Sequence, residues 1–162
     1  MRILGIDPGS VRTGFGVIEE RRAQACYVVC GVIASKGTVP ERLAAIFAGI
    51  DEVIETYQPV AMAVERVFLA RNPDSALKLG QARGVALVAA ARHGIAVFEY
   101  TALQIKKACV GVGHADKAQV QHMMRVLLGL SVVPSRDAAD ALACAICHLH
   151  HQAGLAPTGW HS

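Results

Sequence analysis
The apolar run RILGID (2–7), carried straight into PGSVRTGFG, constrains this chain more than any other stretch. A short apolar run bounded by turn residues reads as a buried strand, and this one ends on a carboxylate, Asp7. Two further runs follow, GFGVIEE (14–20) and CYVVCGVIAS (26–35), and their short polar connections predict an antiparallel meander. Ligand sites in α/β proteins gather at the carboxyl ends of sheet strands. An acid there is expensive to bury unless it is paired or neutralised by a cation, which makes Asp7 the first candidate for chemistry.

The remainder of the chain alternates helical and strand patterns. After Pro40, Leu43, Ile46, Phe47, Ile50, Val53 and Ile54 recur at helical spacing as far as Pro59. VAMAVERV (60–67) reads as a fourth strand that crosses back parallel to the first. The polar loop LARNPD leads to an Ala-rich helix from about 74 to 93, and IAVFEY (95–100) makes a fifth strand. Helices are expected at about 102–109 and 116–128, separated by GVGHA, and at about 136–151. The order βββαβαβααα predicts an α/β fold: a mixed five-stranded sheet, antiparallel in strands one to three and then extended by parallel strands, flanked by helices. With 162 residues the chain is expected to form a single domain over 1–152, with 153–162 as a flexible tail. The apolar start is too short for a signal peptide, and no run reaches the ~18 apolar residues of a membrane helix. Five cysteines, an odd number, fit reduced thiols in the cytoplasm better than a disulfide framework.

Three more acids stand in similar settings. Glu65 lies in the apolar fourth strand, near Asp7 if strands one and four are neighbours. Asp137 and Asp140 in SRDAADALACAI are three apart, hence on one helix face. Asp137 also suits an N-cap or first-turn position, but Asp140 belongs to a helix whose face packs inward. With no basic partner apparent in the sequence, the four would raise each other's pKa unless divalent cations neutralised them. Oxygen-only ligation selects Mg²⁺ or Mn²⁺, and two such ions can drive displacement at a phosphodiester. Charge layout names the substrate class: from Arg66 to Arg136 ten Lys/Arg face three acids, a net of +7, whereas the rest carries −4. A basic region around an acidic metal site points to nucleic acid.

The stretches ILGIDPGSVRTGFGVI, AVERVF, NPDSALKLGQARGVALVAAA, VFEY, HADKAQVQHM and DAADALA together resemble the bacterial RuvC-type Holliday-junction resolvases, members of the ribonuclease-H-like superfamily. The resemblance implies a ribonuclease-H-like fold and a homodimeric endonuclease that resolves four-way DNA junctions by symmetric paired nicks, in homologous recombination and repair. It implies catalytic and metal-holding roles for Asp7, Glu65, Asp137 and Asp140, with two Mg²⁺ per site. Phe68 matches an aromatic that stacks on an unpaired base, and Lys106 and Lys117 match backbone contacts near the scissile phosphate. Arg71, Lys78, Arg83 and Lys107 of the basic segment complete the candidate DNA contacts. The small residues Ala76, Gly80, Gly84 and Ala91 permit close helix approach, and the resemblance implies that the 74–93 helix lies at the dimer interface, with core packing as the competing explanation. A branch-migration complex, made of a junction-binding protein and a helicase motor, is the implied protein partner.

Other readings predict different chemistry. CAICH fits the C-x-x-C-H of haem attachment, and Cys144, Cys147, His148 and His151 could be written as a Zn²⁺ set, but buried thiols in an Ala-rich helix with histidines in its last turn explain them better. An actin-like or sugar-kinase-like ATP phosphotransferase shares the Asp and Gly-rich hairpin but needs a chain about twice as long. A non-catalytic junction-binding module would keep the basic residues and not the buried acids.

Overall fold
A computed structural model describes residues 1–66, 72–111 and 113–154. The sheet contains β1 (Arg2–Asp7), β2 (Arg12–Arg21), β3 (Gln24–Ala34), β4 (Ala61–Glu65) and β5 (Ala96–Tyr100), in the spatial order β3-β2-β1-β4-β5. The first three strands are antiparallel, and β4 and β5 add in parallel on the other side of β1. Five helices complete the fold: α1 (Val39–Tyr57), α2 (Pro73–Arg92), α3 (Ala102–Val110), α4 (Lys117–Leu127) and α5 (Arg136–Gly154). The mixed sheet and the parallel crossover match the expected α/β architecture.

Local chemistry explains where helices start. Thr38 and Glu41 form a capping box at α1 with a proline in the first turn, and Asn72 accepts from the Asp74 N–H at 3.0 Å at α2. Thr101 with Gln104, and Asp116 with Gln119, form capping boxes at α3 and α4.

Two hydrophobic cores sandwich the sheet. On one side Leu4, Ile6, Val17, Met62 and Val64 meet α1 and the Ala82/Ala86/Ala89/Ala90 stripe of α2. On the other, Ile3, Ile18 and Ala63 pack under α5, with α3 and α4 closing the layer. Strand periodicity of two separates these sets cleanly. The helix α5 is buried along nearly all of its length, from Ala138 to Leu149.

That burial depends on three strand glycines. A Cβ on Gly5 would land on the Ala141 carbonyl oxygen, one on Gly14 would land on that of Asp137, and one on Gly16 would come within 2.7 Å of Leu142. The backbone of α5 therefore lies directly on β1 and β2. Because α5 continues to Gly154, His148 lies within the helix and not in its last turn. It is 1% exposed, its Nδ1 is 2.8 Å from the Tyr100 hydroxyl, and its ring is 4.2 Å from that of Phe98. Gly5→Ala should destabilise the fold by about 3 kcal/mol or more, since backbone atoms of α5 cannot yield to the methyl. Denaturant unfolding measures it, and a loss below about 1 kcal/mol contradicts this packing.

Candidate active site
Strand parity directs the first two acids. Asp7 continues the Ile3–Gly5 side of β1, and Glu65 continues the Ala63 side of β4, so both carboxylates emerge on the face that α5 covers. The two strands are parallel neighbours, with Ile6 paired to Val64. Their acidic ends therefore stand side by side.

The other two acids come from the start of α5. Ser135 provides the cap, its Oγ accepting from the Ala138 N–H at 3.4 Å, which leaves the Asp137 carboxylate free of that duty. Asp137 accepts instead from Arg12 Nε at 2.9 Å. Asp140, one turn on, joins Asp7 and Glu65 in a cleft of ≈ 190 Å³ walled by Ala102, Ile105, Lys106, Lys117 and Val120. Lys117 Nζ lies 3.6 Å from Asp140 Oδ2. The expectation of four acids without basic partners is thus corrected for the α5 pair: Arg12 and Lys117 come from distant segments that only the fold brings in. Among the described residues Asp7 and Glu65 make no ion pair.

The electrostatics follow from this arrangement. Burial, and then the charges of Asp140, Glu65 and Asp137, push the Asp7 carboxyl up to about 7, with Lys117 opposing. Glu65 is raised by burial and by Asp140, and Asp140 mainly by burial, against the pull of Lys117. Uncompensated negative charge on an all-oxygen donor set fits a hard divalent cation. No three of these carboxylates approach within 4.8 Å of one another, a spacing reached among the described residues by Asp51, Glu55 and His93. Donors this far apart leave room for other oxygens, such as water, to complete the shell of a hard divalent cation.

The candidate DNA contacts divide. Lys106, half-buried on α3, and Lys117, the first residue of α4, line the cleft. Lys107 instead faces a groove beside His150 and His151. On α2, across the sheet, Lys78 pairs with Asp74 at 2.7 Å and Arg83 with Glu99. Phe68 and Arg71 lie outside the described residues. Cys144, Cys147, His148 and His151 do not form a ligand cluster among the described residues.

Two features escaped the sequence reading. Arg12 is one, and a strand-start arginine after a turn carries no signal of a partner 125 residues away. The other is the Asp51, Glu55 and His93 group, where His93 Nε2 lies 2.8 Å from Asp51 Oδ1. That contact ties the end of α2 to α1, away from the cleft, and an ordinary side-chain hydrogen bond explains it.

Comparison with known proteins places the chain. The family profile described as "Crossover junction endodeoxyribonuclease RuvC" matches residues 3–148. The crossover junction endodeoxyribonuclease RuvC of Stutzerimonas stutzeri is 55% identical over 158 residues, covering 97% of this chain and 91% of that protein. That of Saccharophagus degradans is 52% identical, covering 94% and 90%. Among solved structures, Thermus thermophilus RuvC in complex with Holliday junction substrate superposes with a TM-score of 0.88 at 37% identity, covering 95% of this chain and 96% of that one. The yeast mitochondrial Holliday junction resolvase, at 11% identity and a TM-score of 0.66, shares the fold.

The raised Asp7 carboxyl sets a pH dependence. Its folded pKa lies above the unfolded value, so the folded state binds the extra proton and loses stability as pH rises from about 4 to about 7. In EDTA, Asp7→Asn should leave Tm nearly unchanged at pH 4 and raise it by several degrees at pH 7.5, a gain of about 1–3 kcal/mol. Scanning calorimetry across that range tests it, and a constant difference between the two proteins contradicts the electrostatic account.

Proposed function
This chain belongs to the RuvC family of crossover junction endodeoxyribonucleases, and we propose that it resolves four-way DNA junctions by Mg²⁺-dependent, paired symmetric nicks as a homodimer, in recombination and repair. The observation that carries this reading is the convergence of Asp7, Glu65 and Asp140 in one cleft with Lys106 and Lys117 on its wall. The junction-bound Thermus relative supports the substrate.

Asp7, Glu65, Asp140 and Asp137 would hold two divalent cations, with Mn²⁺ able to replace Mg²⁺. When bound, the ions supply activation of a water nucleophile and neutralisation of the leaving oxygen. The chain's own groups do the rest. Lys117 and Lys106 draw a phosphate toward the carboxylates, and Ala102, Ile105 and Val120 form an apolar wall that limits water and strengthens each charge interaction. Lys107, Lys78 and Arg83 stand outside the cleft, so their contribution is to long-range attraction of the junction. Phe68 remains the proposed base-stacking residue and Arg71 a proposed backbone contact.

A homodimer is supported by the outer face of α2. Its alanine stripe packs into the core, whereas Leu77 and Val88 are 64% and 55% exposed, and a Cβ on Gly80 or Gly84 would meet nothing within 4 Å. Among the described residues nothing packs against these glycines, although each lowers helix stability by about 1 kcal/mol relative to alanine. Close approach of a second α2 does explain them. The free cysteines are compatible with a cytoplasmic setting, and cooperation with a branch-migration complex belongs to the same reading. A phosphotransferase is disfavoured because the family profile that matches residues 3–148 is that of a crossover junction endodeoxyribonuclease.

With Mg²⁺ the purified protein should nick a synthetic four-way junction in two strands, and Asp7→Asn should lower the rate on the order of 10³-fold, about 4 kcal/mol of barrier, while junction binding persists. Equal cleavage by both proteins, on a denaturing gel, defeats the assignment. Separately, Leu77→Glu with Val88→Glu should convert a dimer to a monomer in sedimentation velocity; an unchanged dimer moves the interface elsewhere.

A further inference from the structure
We propose that Arg12 is a positioning residue that competes with a second cation for the Asp137 carboxylate and passes to a DNA phosphate when the cation takes its place. This rests on reading the four acids as a two-cation site. Three of them, Asp7, Glu65 and Asp140, share the cleft, and the nearest counter-charge is Lys117 at 3.6 Å from Asp140. Asp137 differs. It does not line the cleft, and Arg12 Nε donates directly to its Oδ2 at 2.9 Å. A cation entering among the first three relieves repulsion, but one that needs Asp137 competes with a guanidinium already bonded to one of its oxygens.

The backbone under Arg12 is fixed, which makes the pair a built contact. Thr13 Oγ1, fully buried, donates to the Gly9 carbonyl at 3.0 Å and accepts from the Gly9 N–H at 3.3 Å. The Ser35 N–H donates to the Val11 carbonyl at 2.9 Å. Gly14, two residues on, lies against the Asp137 carbonyl, so the start of β2 and the first turn of α5 are locked together. Only the two side chains can move. Their exposures, 57% for Arg12 and 30% for Asp137, leave the guanidinium open to solvent at the rim of the site. Exposed pairs of this kind are weak, so Arg12 tunes the second ion's affinity without blocking it. Once released, a guanidinium beside a nuclease cleft matches phosphate geometry better than a lysine does.

Two measurements test this. Mn²⁺ alone, titrated into the metal-free protein and followed by the EPR signal of free ion, should bind in one tighter and one weaker step. Arg12→Gln should tighten the weaker step about fivefold, and Arg12→Lys less, because a lysine keeps the positive charge that competes for Asp137. Asp7→Asn in the same titration tests the underlying reading: if it loses no ion, the cation site itself is misassigned. If Asp7→Asn loses an ion but the Arg12→Gln isotherm overlays that of the unmodified protein, the Arg12 proposal alone is overturned. In the second measurement, junction binding with Ca²⁺ present should show a salt slope lower by about one in Arg12→Gln. An unchanged slope overturns the transfer to phosphate.

Discussion
The contact of α5 with the bare backbone of β1 and β2 governs the rest of the structure. At Gly5 and Gly14 there is no room for even a methyl group between strand and helix. Ordinary helix-on-sheet packing is spaced by side chains on both surfaces, and here Gly5, Gly14 and Gly16 remove that spacer from the sheet along the line of contact. The alanines of α5 complete the approach from the other side, with Ala138, Ala141 and Ala145 all buried. Because the helix lies this low, its first turn comes to rest at the level of the strand ends, and Asp137 and Asp140 arrive where Asp7 and Glu65 leave the sheet.

The charge pattern of the site is a consequence of that descent. Four acids on three elements, β1, β4 and α5, are forced into one neighbourhood by apolar packing that has no stake in their repulsion. Lys117 and Arg12 offset part of that repulsion, while burial first, and the neighbouring carboxylates second, push the Asp7 carboxyl up to about 7. Such a site is unfavourable on its own and favourable with cations and a polyanionic substrate present. The two basic partners are unequal, since one approaches Asp140 at 3.6 Å and the other bonds Asp137 at 2.9 Å. This inequality distinguishes the two halves of the site.

On the opposite face of the sheet the packing follows different rules. There α1 and α2 rest on isoleucines, valines and methionine of the strands, with Ala82, Ala86, Ala89 and Ala90 facing inward. The hydrophobic period of α1 was readable from Leu43 to Ile54, and its start at the Thr38 capping box lies within two residues of the proline signal. The end of α5 was less readable. The histidine pair after Leu149 resembles a helix end, yet the helix continues for another turn and buries His148 against Tyr100 and Phe98, a contact made with strand β5 nearly fifty residues earlier.

Sequence alone determined the element order and singled out Asp7, Glu65, Asp137 and Asp140 as acids in apolar settings, because hydrophobic period and helix spacing are local properties of the chain. Tertiary structure decided which basic groups meet those acids, since Arg12 with Asp137 and Lys117 with Asp140 are contacts between segments with no local signature of each other. It also sorted the basic residues, directing Lys106 and Lys117 into the cleft and leaving Lys78 and Arg83 across the sheet in ion pairs of their own. The physical reason is the same in each case: a charge's partner is set by distance in space, and that distance was fixed by three glycines whose only role is to let a helix come close.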